Sequence, residues 1–284
     1  MRVIERASEL ERLTGLNSRA GTGCVLVPTM GALHAGHAAL IEHGARSARE
    51  RGTACVVTIF VNPSQFEEAS DFDRYPRTLD DDLALCERAG AGGVFCPAVS
   101  EVYPEEEAIE TPALPWVATR PGLEDACRPG HFGGVCRVVG RLFDLCRPAA
   151  AVFGEKDWQQ LQVVRSLAHA REDTIEIIAS PTVREASGLA MSSRNVHLSG
   201  ADLERAAAIS GALREALEAE SPRGAEALMA RTLASAAIEA EYAVVRDART
   251  LLDPEPGEAC RALIAARVGS TRLIDNAEWR AGGA

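Results

Sequence analysis

The sequence predicts an α/β protein: a Rossmann-like, doubly wound parallel sheet over residues 1–182, joined to a smaller C-terminal α+β domain over residues 183–284. Three observations predict it. Short apolar runs alternate with helix-length amphipathic segments through the first two thirds of the chain, the pattern of right-handed βαβ crossovers. After about Pro181 that alternation gives way to two amphipathic helices and then three short strand candidates. A length of 284 residues, 46% hydrophobic and 25% charged, is enough for one large domain or two ordinary ones.

The N-terminal stretch MRVIERASELERL is charged and amphipathic, unlike a secretory signal, and no apolar run approaches the ~18 residues of a membrane span. A cytoplasmic location with no membrane partner is expected. Strands are expected near 23–27, 54–61, 93–96, 150–153 and 174–179, and helices near 35–50, 78–89, 134–146 and 156–170. The helix at 78–89 has Thr78 and Asp81 in capping-box spacing and closes at Gly90; the one before the fourth strand stops at Pro148. Between Pro97 and Gly130 the chain is rich in Pro, Glu and Gly with weak periodicity, as a substrate-covering segment would be. The join near 181–187 reads as a hinge. Beyond it, Leu203, Ala206, Ile209, Leu213 and Leu217 share one helix face, and Pro222 opens a second helix. Strand candidates follow near 242–246, 261–266 and 271–274.

A net charge of -11 argues against nucleic acid as a partner, because that binding rests on clustered Lys and Arg. Eight cysteines without a C-x-x-C pair, several inside apolar runs, read as small buried hydrophobes in a reducing compartment. Lysine is almost absent, which draws attention to Lys156.

The most informative segment is VPTMGALHAGH, Val27 to His37. An apolar strand ends at Pro28, Thr29 and Gly31 supply a turn, and a helix begins after Leu33 with His34 and His37 on one face of its first turn. Its backbone N–H groups and positive dipole end would receive an anion such as a nucleotide triphosphate. The His-x-x-His pair adds donors for charge building on a phosphate. A metal site would need three or four ligands, and only His43 stands near. Two histidines that merely decorate a helix start are the plainer alternative.

Ligands of parallel sheets bind at the carboxyl ends of strands, and the other polar clusters fall there. The second strand ends in FVNPSQF, which places Asn62 and Gln65, whose amides suit hydroxyls and carboxylates. The fourth ends in VFGEKDWQQL, which places Gly154, Lys156, Asp157 and Gln160 at a helix start; Lys156 suits a phosphate and Asp157 a ribose hydroxyl. Past the fifth strand, REASGLAMSSRNVHL puts Ser192, Ser193 and Arg194 on a glycine-containing loop that reads as a flexible clamp over triphosphate. Asp80, Asp81 and Asp82 open the helix at 78–89, where acids are favourable anyway, or one of them holds Mg2+.

Together PTMGALHAGH, IFVNPSQF, DRYPRTLDDDL, GHFGGV, VFGEKDWQQLQVVR, VREASGLAMSSRN and RLIDN, in this order over nearly the whole chain, resemble the pantothenate synthetase family. These are AMP-forming pantoate–β-alanine ligases among the HIGH-motif nucleotidyltransferases, and the signature here reads His34-Ala35-Gly36-His37. The resemblance implies ATP, pantoate and β-alanine as substrates, Mg2+, a pantoyl adenylate intermediate and a homodimer. It implies that His34, His37, Lys156, Ser192, Ser193 and Arg194 handle phosphate, and that Gln65 and Gln160, with Thr29, Met30 and Asn62, bind pantoate. Met30, Gly36, Gly154, Asp157, Val183 and Met191 would border the nucleotide, and Asp81 would contact Mg2+. Gly133 and Arg137 depart from the family's pattern in GHFGGVCRVV, as does His197 where Tyr is usual.

Three rivals stand beside this reading. Another HIGH-motif nucleotidylyltransferase would transfer AMP to a phosphate, which the amide-rich strand ends argue against. A catalytically silent paralogue would sense nucleotide or pantoate. A bifunctional enzyme would need a further domain for which no residues remain.

Overall fold

The computed structural model describes residues 1–14, 23–65, 77–171 and 174–281. Phe66 of FVNPSQF and the DRYP of DRYPRTLDDDL, residues 73–76, lie outside them. Six strands form a parallel sheet: β1 (Arg2–Ile4), β2 (Val25–Thr29), β3 (Cys55–Ile59), β4 (Gly93–Phe95), β5 (Ala150–Gly154) and β6 (Glu176–Ser180). Their order is β1-β4-β3-β2-β5-β6, with every pair parallel. The chain winds outward from β2 through β3 and β4, then returns to the other side of β2 as β5. A crevice opens at such a reversal, beyond the carboxyl ends of β2 and β5.

Strand residues alternate between two cores because successive side chains point to opposite faces. Leu26, Val56, Phe95, Ala151 and Phe153 pack against α6 (His131–Cys146) and α7 (Trp158–Ala170). Val25, Val27, Val57, Val94, Ala150 and Val152 pack against α2 (Ala35–Arg51) and α3 (Leu79–Arg88) through Ile41, Ala45, Ala48 and Cys86. Both faces are covered, which is why these strands read as continuous apolar runs. A further helix, α1 (Ala7–Thr14), follows β1.

The expected strands and helices of the sheet domain are present, with three differences. Residues 2–4 form an edge strand beside β4, of which only Ile4 is buried, so its apolar signal was too short to register. The helix expected from 134 begins at His131. Thr78 makes no side-chain cap; its hydroxyl donates to Asp82 Oδ1 at 3.2 Å instead.

The segment between Pro97 and Gly130 is anchored rather than loosely draped. It holds two short helices, α4 (Val99–Val102) and α5 (Glu124–Cys127), and it buries Val117, Ala118 and Leu123. Gln159 of α7 fastens it by donating to Val117 O and Asp125 Oδ1 and accepting from Glu124 N, each at 2.9 Å.

Residues 200–279 build the smaller unit: α8 (Gly200–Ala216), α9 (Pro222–Ser235) and an antiparallel sheet of β7 (Glu239–Asp247), β8 (Cys260–Val268) and β9 (Thr271–Trp279). Ala206, Ile209 and Leu213 of α8 are buried there, whereas Leu203, expected on the same face, is 37% exposed. Leu251 and Leu263 join the apolar cluster of Trp158, Leu161 and Leu123, so the core runs across the joint between the two units.

All eight cysteines are free; six are buried as expected, whereas Cys96 is half-buried and Cys127 exposed. Burial pushes Cys24, Cys55 and Cys86 up to about 12, which leaves those thiols inert. No helix among the described residues is long and apolar enough to cross a membrane.

Candidate active site

The turn from β2 into α2 needs two consecutive left-handed residues, Gly31 (φ +84°) and Ala32 (φ +50°). Glycine adopts such a φ freely, whereas alanine requires outside support. Asp82 supplies it: 2% exposed, its carboxylate accepts from Ala32 N at 3.0 Å and Leu33 N at 2.8 Å.

His34 is the N-cap of α2, and its Nδ1 accepts from Gly36 N at 3.1 Å; His37, three residues on, accepts from His34 N at 3.2 Å through its own Nδ1. The two histidines thus cap one helix reciprocally, with ring centroids 4.1 Å apart. Because both Nδ1 atoms are acceptors, the proton of each neutral ring sits on Nε2. Burial pushes His37 down to about 3, with His34 and Lys156 adding to the effect, and it lowers His34 as well, again with help from Lys156. The N–H groups of Ala32, Leu33, His34 and Gly36 are engaged within the protein, and beside the rest of the helix start the two imidazoles line the crevice as neutral donors.

Beyond β3, a 3-10 turn (Pro63–Gln65) holds Gln65 at the cleft. Asn62, 1% exposed, also borders it, but its polar atoms are engaged internally. Its Nδ2 donates to Gly134 O at 3.3 Å, and its Oδ1 accepts from Ser64 N, Ser64 Oγ and Tyr103 Oη. Asn62 ties the Gln65 turn to α6 rather than offering a free amide. Gly134 permits the approach, since a Cβ there would lie 2.5 Å from Ser64 O.

Beyond β5, Gly154, Lys156 and Asp157 form the turn into α7, and Gln160 follows in its first turn; all four line the cleft. Beyond β6, residues 183–191 make a small hairpin, with Met191 N donating to Val183 O at 2.9 Å and Glu185 N to Leu189 O at 2.8 Å. Ser192, Ser193 and Arg194 follow it, and Ser192 Oγ accepts from Arg194 N at 3.2 Å. Asn195 braces the loop by donating to Glu185 Oε1 at 2.7 Å and Ala190 O at 3.2 Å. The expected clamp is a hydrogen-bonded hairpin rather than loose chain.

These strand ends enclose one cleft of about 290 Å3. Thr29, Met30, His34, Gly36 and His37 line it from β2 and α2, Asn62 and Gln65 from β3, and Gly154, Lys156, Asp157 and Gln160 from β5 and α7. Val183, Met191, Ser192, Ser193 and Arg194 close it after β6. Asp81 is the expected site residue that the cleft does not include: it is exposed on α3, while its neighbour Asp82 turns inward to the β2–α2 turn. Among the described residues no three His, Cys, Asp or Glu side chains come together as a metal site.

Two titratable cleft residues escaped the sequence reading. Arg128 and His131 flank the start of α6, with Arg128 Nη1 3.1 Å from His131 Nε2. His131 is pushed down to about 3, chiefly by burial and then by Arg128. Arg128 is itself lowered by burial and then by the charge of Arg194, and both guanidinium groups line the cleft. Like charges so placed favour an anion between them. The signal available was RPGHFGG, a basic residue before a glycine at a helix start, but it sits in a segment without periodicity. Opposite the charges, Val135, Val138, Val139 and Leu142 of α6 give an apolar wall with Leu40 and Phe60. Of the departures, Arg137 stacks 4.8 Å from the Tyr103 ring centroid outside the cleft lining, a Cβ at Gly133 would meet Thr111 in ordinary contact at 3.9 Å, and His197 is exposed.

Comparison with known proteins places this geometry in context. A family model described as pantoate-beta-alanine ligase matches residues 2–278. The pantothenate synthetase of Nocardioides sp. is 46% identical over 94% of this chain and 82% of its own length. That of Xanthomonas axonopodis pv. citri is 44% identical over 98% of this chain and all of its own length. Among solved structures, pantothenate synthetase from Thermus thermophilus superposes with a TM-score of 0.88 at 38% identity, covering 99% of this chain and 100% of that one. Pantoate-beta-alanine ligase from Francisella tularensis, complexed with beta-gamma ATP and beta-alanine, gives 0.78 at 28% identity, covering 100% of both chains.

Proposed function

The chain belongs to the pantoate-beta-alanine ligase family, and on that premise we propose how its own residues join pantoate to β-alanine at the expense of ATP. One observation carries the assignment: donors from three separate strand ends, His37 after β2, Lys156 after β5 and Arg194 after β6, line one cleft with the amides of Gln65 and Gln160.

In the first step an oxygen of the pantoate carboxylate attacks the α-phosphorus of ATP, the bond to the β-phosphate oxygen breaks, and pyrophosphate leaves with that electron pair. A carboxylate is a poor nucleophile toward a polyanion. Lys156, Arg194 and the Nε2–H donors of His34 and His37 offset the charge that spreads over the α-phosphate and the departing pyrophosphate, while Ser192 and Ser193 orient it. Neutral histidines suit this role, because they give up hydrogen bonds without holding the nucleotide as a counter-ion. Gln65 and Gln160 receive the pantoate hydroxyls and carboxylate, with Thr29 and Met30 completing that side and Asn62 holding the Gln65 turn in place, and the valines of α6 receive its dimethyl carbon. Gly36, Gly154, Asp157, Val183 and Met191 border the nucleoside, with Asp157 accepting from ribose hydroxyls.

In the second step the neutral β-alanine amine attacks the acyl carbon of pantoyl adenylate, its proton passes to solvent, and AMP departs. Holding the two reactants together supplies about 7–11 kcal/mol in well-oriented cases. Mg2+, held through the nucleotide's phosphates and waters, would supply charge neutralisation of the departing pyrophosphate. The described residues offer no cage for it and Asp81 faces away, so no step is assigned to a protein-held metal.

We further assign residues 1–182 to the catalytic unit and residues 183–284 to its lid, acting as a homodimer in the cytoplasm, as the resemblance implies. The test is pantoate-dependent exchange of labelled pyrophosphate into ATP without β-alanine. The ligase is expected to catalyse it, and a nucleotide sensor would not. Lys156→Ala and His37→Ala are expected to abolish exchange with the fold intact; unchanged exchange in either would remove that residue from the mechanism.

A further inference from the structure

The small sheet reaches across the joint and grips the turn that carries Lys156. Asn276 of β9, 2% exposed, donates from Nδ2 to two successive carbonyls, Glu155 O at 2.9 Å and Lys156 O at 2.8 Å. Its Oδ1 accepts from Arg261 Nε of β8 at 2.5 Å. Arg261 continues to the same turn, with Nη2 at 2.9 Å from Glu155 Oε2 and its guanidinium 3.5 Å from the Trp158 ring centroid. One residue earlier, Asp275, 3% exposed, accepts from Arg184 with both oxygens, at 2.6 and 3.0 Å. Arg184 roots the hairpin that ends in Ser192, Ser193 and Arg194, and it also donates to Asn276 O at 3.3 Å.

A cavity of about 30 Å3 lies beside the Lys156 turn, bordered by Lys156, Asp157, Asp275 and Asn276. Groups that line a void lack dispersion partners on that side, and there the turn is held by the bonds from Asn276, with Glu155 N donating to Ser180 O at 2.9 Å on the sheet side. A displacement of about 1 Å in a reacting constellation can cost about 100-fold in rate. We infer that Asp275 and Asn276 are positioning residues: adjacent on one strand, they hold the Lys156 turn and the Arg194 loop at a fixed separation, so the phosphate-handling set is assembled only while the small sheet is docked. The inference rests on Lys156 and Arg194 as phosphate ligands.

A double-mutant cycle tests it. Asn276→Asp keeps the shape and the acceptor for Arg261 but removes both donated bonds. The affinity for a non-hydrolysable ATP analogue is measured by calorimetry in the native protein, Asn276→Asp, Lys156→Ala and the double variant, alongside kcat, the KM for pantoate and the melting temperature. Asn276→Asp is expected to lower kcat about 10–100-fold, with the pantoate KM changed less than about 3-fold. It should weaken the analogue about 5–10-fold when Lys156 is present and less than about 2-fold when it is absent, the non-additivity of residues acting as one unit. Equal weakening in both backgrounds, or an unchanged kcat, overturns the positioning role. An unchanged analogue affinity in Lys156→Ala alone overturns instead the phosphate reading beneath it. Should the aspartate variant not fold, Asn276→Ala carries the same cycle, and Asn276→Gln, which keeps the donors, is expected to recover part of the rate.

Discussion

At the scale of single residues, the proposed function has His34 and His37 serve structure and chemistry through opposite ring nitrogens. Nδ1 closes the helix start, and Nε2 is left for the ligand. Nitrogen-resolved NMR of the ligand-free protein at pH 7 is expected to show both rings neutral with the proton on Nε2; an imidazolium at either position contradicts the assignment. Burial holds His37 and His131 near 3, well below the ordinary ~6.5 of an unfolded chain. Between those values the unfolded chain binds protons that the folded one does not. The stability this represents is present in full above pH ~6.5 and is lost progressively as pH falls toward 3. Melting temperature is therefore expected to drop between pH 7 and pH 5, less steeply in His37→Asn, and a flat profile argues against buried neutral rings. Gln65 should act on pantoate rather than on nucleotide. Gln65→Ala is expected to raise the pantoate KM about 10-fold and the ATP KM less than about 3-fold, from the loss of one or two hydrogen bonds; the reverse order in steady-state kinetics would reassign it. The two-histidine spacing and Lys156 were legible in the sequence because they repeat a strand-end position. Reciprocal capping was not, since it depends on ring orientation, and neither was the engagement of Asn62, whose partners Gly134 and Tyr103 are remote in sequence.

Among the elements, the β2–α2 turn shows how a strained loop is held. Ala32 sits at φ +50°, and the carboxylate that receives its N–H and that of Leu33 comes from Asp82 of α3, 50 residues away from Ala32. Asp82→Ala leaves those donors without a buried partner and is expected to cost about 3 kcal/mol in denaturant unfolding, the range of hydrogen bonds to charged groups. Asp81→Ala, on the exposed side of the same helix, is expected to change stability by less than ~0.5 kcal/mol. Equal effects would mean that Asp82 does not support the turn. The sheet's apolar strands were readable because they are buried on both faces. The small domain's strands were underestimated, 242–246 against Glu239–Asp247 for example, because Glu239, Ala240 and Glu241 are exposed and give no apolar signal. The stretch between Pro97 and Gly130 concealed Arg128 for a related reason. Its order comes from Gln159 and buried Val117 and Leu123 rather than from any local period.

For the whole molecule, the joint between the two units is as telling as either sheet. Glu124 of α5, 7% exposed, accepts from Arg272 of β9 at 2.9 and 2.6 Å and from Tyr242 Oη of β7 at 2.8 Å, so the segment that brings Arg128 to the cleft is moored to the small sheet. Glu124→Ala removes one of the two carboxylates paired with half-buried Arg272, Glu241 at 2.7 Å remaining, and leaves Tyr242 Oη without its acceptor; it is expected to lower stability by about 2 kcal/mol in chemical denaturation, and a loss below ~0.5 kcal/mol would show the tie to be incidental. The two-unit architecture was evident from the change of pattern after Pro181, but the interlock of Glu124, Asp275 and Asn276 was not, since the partners lie about a hundred residues apart. What unites the scales is that donors on three loops line one cleft, which the proposed function reads as the phosphate site. Lys156 is the only lysine among 284 residues, so protein carrying isotope-labelled lysine yields one lysine side-chain NMR signal that needs no assignment. Titrated with a non-hydrolysable ATP analogue, that signal is expected to shift and saturate in step with calorimetric binding, to shift in part with AMP, and to stay put with β-alanine alone. A lysine signal that does not move at saturating nucleotide would contradict the convergence on which the account depends.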